Sequence, residues 1–155
     1  MGSRLLRLLI LGLAVAALDG CGFLHDEPIV GPYRLVAADV SDQMAICEGT
    51  GSAVHCVIPA TVFAVGWNAS FIIAKQHPYD LPQATNPDKT VTSYWIVRVS
   101  DRAVIGPLSY EEFQARRSTL GVPGELKFTK EFPELASMRG GPNSALLTDA
   151  KLPPI

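Results

Sequence analysis

The sequence predicts an α+β fold, in which an antiparallel sheet of about six or seven short strands carries one C-terminal helix. Two observations favour this class. Short runs rich in β-branched and aromatic residues alternate with glycine, proline and asparagine turns, and one capping motif opens an amphipathic segment late in the chain. With 155 residues, the chain is long enough for one domain, which we place at residues 33–136.

The predicted strands are short and lie close together along the chain. An Asn68-Ala69-Ser70 turn separates the two strongest, residues 61–67 and 71–75, which favours a hairpin. That tripeptide also matches a glycosylation sequon, and a hairpin turn is the simpler reading. The other predicted strands are residues 33–40, 44–47, 53–58, 93–99 and 103–105.

One helix is predicted after the last strand. Ser109 and Glu112 have the spacing of a capping box, and Gly121 is a suitable C-terminal stop after Leu120. Residues 126–135 are ambiguous between a helical turn and a strand. Residues 137–155 are rich in glycine and proline without a periodic apolar face, which predicts a disordered tail.

The first twenty residues have the pattern of a signal peptide. Arg4 and Arg7 precede an uncharged run from Leu8 to Leu18. As a helix, this run spans only ~16 Å, against ~30 Å for the hydrocarbon core of a bilayer. We therefore expect residues 1–20 to be removed on export.

Leu18-Asp19-Gly20-Cys21 resembles the lipobox of bacterial lipoproteins. The resemblance implies cleavage before Cys21, attachment of lipid to its thiol, and a tether over residues 21–32. Asp19 departs from the pattern, because a small or apolar residue is usual there. Gly22 is not the aspartate associated with inner-membrane retention, so the periplasmic face of the outer membrane is favoured in a Gram-negative organism. Plain secretion and a retained N-terminal anchor are the alternatives.

The hairpin FAVGWNASFIIAK and the later stretches SYWIVRV and IGPLSYEEF carry a second resemblance. Together they resemble a small group of uncharacterised bacterial lipoproteins with the same order of parts, over residues 21–135. This resemblance implies no activity.

The charge of the chain argues against nucleic-acid binding. Removal of Arg4, Arg7 and Asp19 with the signal peptide leaves eleven basic and fourteen acidic residues, a net charge of −3. These charges are scattered, whereas a nucleic-acid binder shows a basic stripe. We expect the membrane, through the lipid, and a protein of the cell envelope as partners.

Cys47 and Cys56 remain once Cys21 is assigned to lipid. They lie on adjacent predicted strands across a glycine turn, where a disulfide can form, and an exported protein meets an oxidising compartment. A redox pair or a metal site is the alternative, although the spacing is wider than those sites usually have.

The histidines predict neither a catalytic nor a metal site. His55 and Cys56 are neighbours on a strand and point to opposite faces, so we expect His55 on the surface. His25-Asp26-Glu27 is a contiguous run in the predicted tether, and His77 with Asp80 belongs to a proline-rich loop, residues 77–89. We expect no cofactor.

Aromatic residues form the candidate binding surface. Trp67, Tyr94 and Trp95 fall on or beside strands, and His77 and Tyr79 begin the proline-rich loop. Tyr94 and Trp95 must face opposite sides of the sheet, so one belongs to the core. The predicted function is a lipid-anchored envelope protein with a non-catalytic binding or structural domain. The alternative is a periplasmic or surface enzyme inhibitor or an immunity-type protein.

Overall fold

The computed structural model describes residues 23–50, 53–79 and 86–136. Cys21, Asp80 and the predicted tail lie outside the described residues. The described residues form nine strands in two antiparallel sheets, a 3-10 turn and two helices. In chain order, the elements are β1 (His25–Pro28), β2 (Tyr33–Ala37), a 3-10 turn (Ser41–Gln43), β3 (Ala45–Thr50), β4 (Ala53–Ile58), β5 (Val62–Trp67), β6 (Phe71–Gln76), β7 (Ser93–Arg98), β8 (Ala103–Leu108), α1 (Tyr110–Leu120), β9 (Lys130–Glu131) and α2 (Pro133–Ala136).

The main core lies between the two sheets. Strands β1-β2-β3-β4 form the first sheet and β8-β7-β6-β5-β9 the second. Leu35 and Ile46 from the first sheet pack in one cluster with Ile72, Trp95 and other residues of the second. This arrangement corrects the expectation of a single sheet of six or seven strands, although the coarser α+β class and the antiparallel pairing are confirmed.

The break between the sheets follows Pro59. Proline has no backbone N–H to extend a ladder, so β4 ends at Ile58 and the chain crosses to start β5. The Val62 amide then donates a 2.7 Å bond to the carbonyl of Met44, the residue directly before β3. A change of sheet after a short strand leaves no mark in the alternation of apolar residues.

Helix α1 covers the outer face of the second sheet, as the sequence predicts. The Ser109 side chain accepts from the Glu112 amide at 3.2 Å, and the Ser109 amide donates to the Glu112 carboxylate at 2.8 Å. Gly121 ends the helix in the left-handed conformation, with φ of 68°. Phe113 packs on Phe71, Ile73 and Ile96, so both faces of β6 and β7 are buried.

Two local predictions are corrected. Residues 25–28 of the expected tether form strand β1, which pairs with β2 along its whole length. The sequence HDEP has no apolar alternation, because this edge strand is held by backbone bonds and ion pairs. The ambiguous residues 126–135 contain irregular chain, the two-residue strand β9 and the single turn α2.

Among the described residues, no helix is both long and apolar enough to cross a bilayer.

Candidate binding site

The described residues form an apolar pocket of about 460 Å³ at one end of the two-sheet sandwich. We call this end the entry end, because residues 23 and 24 lead there into β1. Its walls include Pro59, Pro78, Pro107, Tyr79 and Trp95. A mainly apolar cavity of this size with few polar groups is typical of ligand sites.

The strand ends explain why the pocket is built here. Pro59 follows β4, Pro78 follows β6, and Pro107 lies in β8 after a cis peptide bond from Gly106. Gly106 has a φ of 146°, and a side chain there would meet the Trp95 ring at 2.5 Å. Only glycine therefore allows the ring to lie against β8.

Two hydrogen bonds hold the Gln76 side chain, which lines the pocket. Gln76, which is buried, donates from Nε2 to the Ala60 carbonyl at 2.8 Å, and its Oε1 accepts from Trp95 Nε1 at 3.0 Å. Both ends of the amide are therefore used within the fold. These bonds fix the orientation of Trp95 and leave the wall largely apolar, which suits binding of an apolar group.

His77 does not lie on the surface, which corrects its place in the predicted binding surface. Its side chain is buried and stacks on Phe63 with ring centroids 4.1 Å apart. Its Nδ1 lies 2.8 Å from the Val91 carbonyl oxygen, which can only accept, so this nitrogen carries the proton. Thr61 donates to the His77 carbonyl. His77 therefore anchors the chain that leaves β6, and the described residues contain no hydrogen-bond partner for its Nε2.

The other predicted aromatic residues are divided among three places. Trp95 belongs to the core and to the pocket wall, and Tyr79 is exposed at the pocket. Tyr94 stacks on Phe113 below helix α1, with centroids 5.0 Å apart, and burial raises the pKa of its hydroxyl. Trp67 packs against the core between the sheets at the opposite end of β5. The five residues therefore do not form one continuous surface.

Sequence reasoning missed Gln76 and the prolines of the pocket. Each of the three prolines lies at or near the end of a strand, and these ends come together only because the two sheets face each other. The signal in the sequence is a proline that follows an apolar strand, which by itself indicates a stop and not a wall.

Cys47 and Cys56 form a disulfide between β3 and β4, as the sequence predicts. Cys47 is buried on the outer face of the first sheet beside Val36 and Ala45, whereas Cys56 is exposed. Neither cysteine lines the apolar pocket, and the bridge joins these two paired strands covalently.

A smaller pocket of about 370 Å³, with charged residues in its lining, lies at the far end of the sandwich, where β3 ends and β4 begins. Glu48, His55 and Arg102 line it, and the Arg102 guanidinium lies 3.8 Å from the Glu48 carboxylate. His55 is exposed, as the sequence predicts. Burial raises the pKa of the fully buried Tyr33 hydroxyl, and the nearby carboxylate of Glu48, which lines this pocket, adds to the effect.

Strand β1 divides the His25-Asp26-Glu27 run between two faces. Asp26 accepts from Arg34 at 2.6 Å, while Glu27 pairs with Lys130 of the second sheet. The hydrogen bond from Lys130 is the main reason why the pKa of Glu27 is lowered. In the part of the chain that the structure describes, no three His, Cys, Asp or Glu side chains come together as metal ligands.

The family model of DUF3997, described as a protein of unknown function, matches residues 31–134. The chain belongs to the DUF3997 family. The match covers the apolar pocket, the disulfide and helix α1, and strand β1 precedes it. No curated protein and no solved structure matches the chain.

Proposed function

We propose that this DUF3997 protein is a lipid-anchored protein of the bacterial cell envelope, and that its domain binds an apolar group of a partner without catalysing a reaction. The apolar pocket is the observation that carries the binding proposal. A hydrogen bond joins Gln76 and Trp95 of its lining, and most of its walls are aromatic and proline rings. Such walls bind through surface burial, since they offer neither an acid nor a base.

Two features support export and anchoring. The Leu18-Asp19-Gly20-Cys21 motif follows an apolar run that is too short to span a bilayer. The Cys47–Cys56 disulfide suits an oxidising compartment outside the cytoplasm. We propose the periplasmic face of the outer membrane as the location in a Gram-negative organism.

The anchor is tested by replacing the modified cysteine. Cys21→Ser should release the domain from the membrane fraction or leave the precursor uncut, and mass spectrometry should show no lipid. The wild-type protein should carry the mass of at least two acyl chains, because a single chain holds a protein only marginally. Unchanged membrane association and an unchanged mature mass would contradict the anchor.

The pocket is tested by a cross-linked pull-down from membranes with the anchor intact. Tyr79→Ala removes an exposed wall of the pocket, and Tyr110→Ala is the matched control, because Tyr110 is an exposed tyrosine of α1 outside the pocket. We expect the wild type and Tyr110→Ala to recover the same partner, and Tyr79→Ala to recover at least tenfold less. Equal recovery by all three, or no reproducible partner, would contradict binding through this pocket.

The alternative is a periplasmic enzyme inhibitor or an immunity-type protein that acts through residues 77–89. The described ends of this loop meet, because the Asp88 amide donates to the Pro78 carbonyl at 2.8 Å. A loop whose two ends are held together next to the pocket also suits an inhibitory role. Recovery of a secreted hydrolase or toxin in the same pull-down, in place of an envelope protein, would favour this alternative.

A further inference from the structure

Large apolar side chains are exposed at the entry end of the domain. Leu24 is 60% exposed, Val40 52% and Val91 44%. We call these three residues the apolar rim. Tyr79, at the mouth of the apolar pocket, is 38% exposed at the same end. Several exposed aliphatic side chains at one end of a domain indicate a surface that contacts a membrane or another molecule.

Hydrogen bonds and an ion pair bring the three segments of the apolar rim together. The Leu24 amide donates to the Ala38 carbonyl at 3.0 Å, which holds residue 24 beside the turn that carries Val40. Lys89 lies 4.0 Å from Asp42 of the 3-10 turn. The segment around Val91 is in turn fixed by the bond between its carbonyl and His77.

Leu24 of the apolar rim follows Cys21 by only three positions in the sequence. Only Gly22 separates Cys21 from Phe23, and Phe23 packs on the outer cluster of the first sheet. From Cys21 to Leu24, three residues of fully extended chain span at most roughly 10 Å. The polar layer on each side of a bilayer is about 5–7 Å thick, as the difference between its total and its hydrocarbon thickness shows. A lipid on Cys21 therefore keeps Leu24 within roughly 10 Å of the lipidated residue, close to the headgroup layer.

We propose that the apolar rim lies in the interfacial layer of the bilayer that receives the lipid of Cys21, so that the domain is seated on the membrane in one orientation. This inference rests on the proposed lipid anchor. Its occupant is lipid, because the covalent connection delivers this end to a bilayer before any other partner can cover it. The apolar pocket lies at the same end and would be next to the membrane surface.

The charges around the rim predict which lipids it prefers. Asp39, Asp42 and Asp88 lie beside it with Lys89 as the nearby cation, which leaves an excess of negative charge. Anionic headgroups would be repelled, and zwitterionic headgroups would not. We therefore expect closer seating on phosphatidylcholine than on membranes rich in phosphatidylglycerol.

The test uses the full lipidated protein with a fluorophore on a single introduced cysteine. Val40→Cys places the label in the apolar rim. Val104→Cys is the matched control, because Val104 is an exposed valine in the half of β8 near the far end. Each labelled protein is reconstituted into phosphatidylcholine vesicles that contain headgroup-nitroxide lipid. We expect at least threefold stronger quenching at position 40 than at position 104.

The outcomes separate the orientation from the anchor. If the protein carries lipid and floats with the vesicles but both positions are equally quenched or unquenched, the seating is overturned and the anchor stands. A second copy or a protein that covers the rim would shield position 40, and this result also overturns the proposal. If the protein carries no lipid and does not float, the anchor and the seating both fail. Leu24→Asn with Val91→Asn should reduce the quenching at position 40 to that at position 104.

Discussion

Loss of the disulfide between Cys47 and Cys56 should lower the free energy of unfolding by an amount that the length of its loop sets. The two cysteines are nine positions apart, which closes a ring of about ten residues. The loop-entropy relation gives roughly 9 cal/mol/K for such a ring, or about 2.7 kcal/mol at 25 °C. With a urea dependence of about 1–3 kcal/mol/M, the unfolding midpoint should fall by roughly 1–3 M.

The burial of the two cysteines predicts a difference between the single substitutions. Cys56 is exposed, so Cys56→Ser should lose only the contribution of the cross-link. Cys47 is fully buried beside Val36 and Ala45, so Cys47→Ser also places a hydroxyl among apolar neighbours. That hydroxyl should cost about 1–3 kcal/mol more when it finds no partner.

The assay is urea unfolding followed by circular dichroism, with and without reductant. Reduced wild type and Cys56→Ser should have the same midpoint, below that of oxidised wild type, and reductant should not change the Cys56→Ser midpoint. Cys47→Ser should unfold at still lower urea. Equal midpoints for reduced and oxidised wild type would refute the stabilising effect of the cross-link, and equal stability of the two serine variants would refute the cost of a buried hydroxyl at position 47.

Three further predictions concern packing, ionisation and a buried hydroxyl. Gly66→Ala should destabilise the domain by about 1–3 kcal/mol or more in urea unfolding, because the new Cβ would lie 1.9 Å from a backbone carbonyl oxygen. Gly124→Ala is the control and should leave the midpoint unchanged, because a Cβ at position 124 has no atom within 4 Å. The pKa of Asp101 should be about 2 in a carbon-detected NMR titration, because Arg98 donates hydrogen bonds to its carboxylate. The contribution of Asp101 to stability is therefore complete above about pH 4 and disappears as the pH falls towards 2. Arg98→Met should return the pKa of Asp101 towards 3.8, and an unchanged pKa would rule out this cause. Tyr33→Phe should leave the melting temperature unchanged or raise it, because this buried hydroxyl has no hydrogen-bond partner among the described residues; a fall of several degrees would reveal a partner in the folded protein.

The parts of the fold that depend on neighbouring residues could be predicted from the sequence. Ser109 and Glu112 cap α1 because they are three residues apart on one turn of a helix. Asn68 closes the β5–β6 hairpin by accepting from the Ser70 and Phe71 amides, at 2.9 and 2.8 Å. The disulfide was predictable for the same reason, since a short turn places its two strands side by side.

The candidate site could be predicted only in part. Trp95 and Tyr79 were expected on a binding surface and do line the apolar pocket. The sequence assigned His77 to the same surface because a proline-rich loop follows it, yet packing against Phe63 removes it from solvent. Gln76 carries no sequence signal, because its role depends on a tryptophan that is 19 residues away in the chain.

By itself, the sequence determined the short antiparallel strands, the capped helix, the disulfide pair and the lipobox-like motif at Cys21. The tertiary structure alone decided that the strands form two sheets, that polar residues 25–28 complete one of them, and that three prolines meet around a pocket. The physical reason is that strand alternation and capping arise within one element, whereas the choice of partners depends on side chains far apart in the chain. The structure also shortens the tether expected over residues 21–32, because strand β1 begins at His25, only four residues after the motif's Cys21.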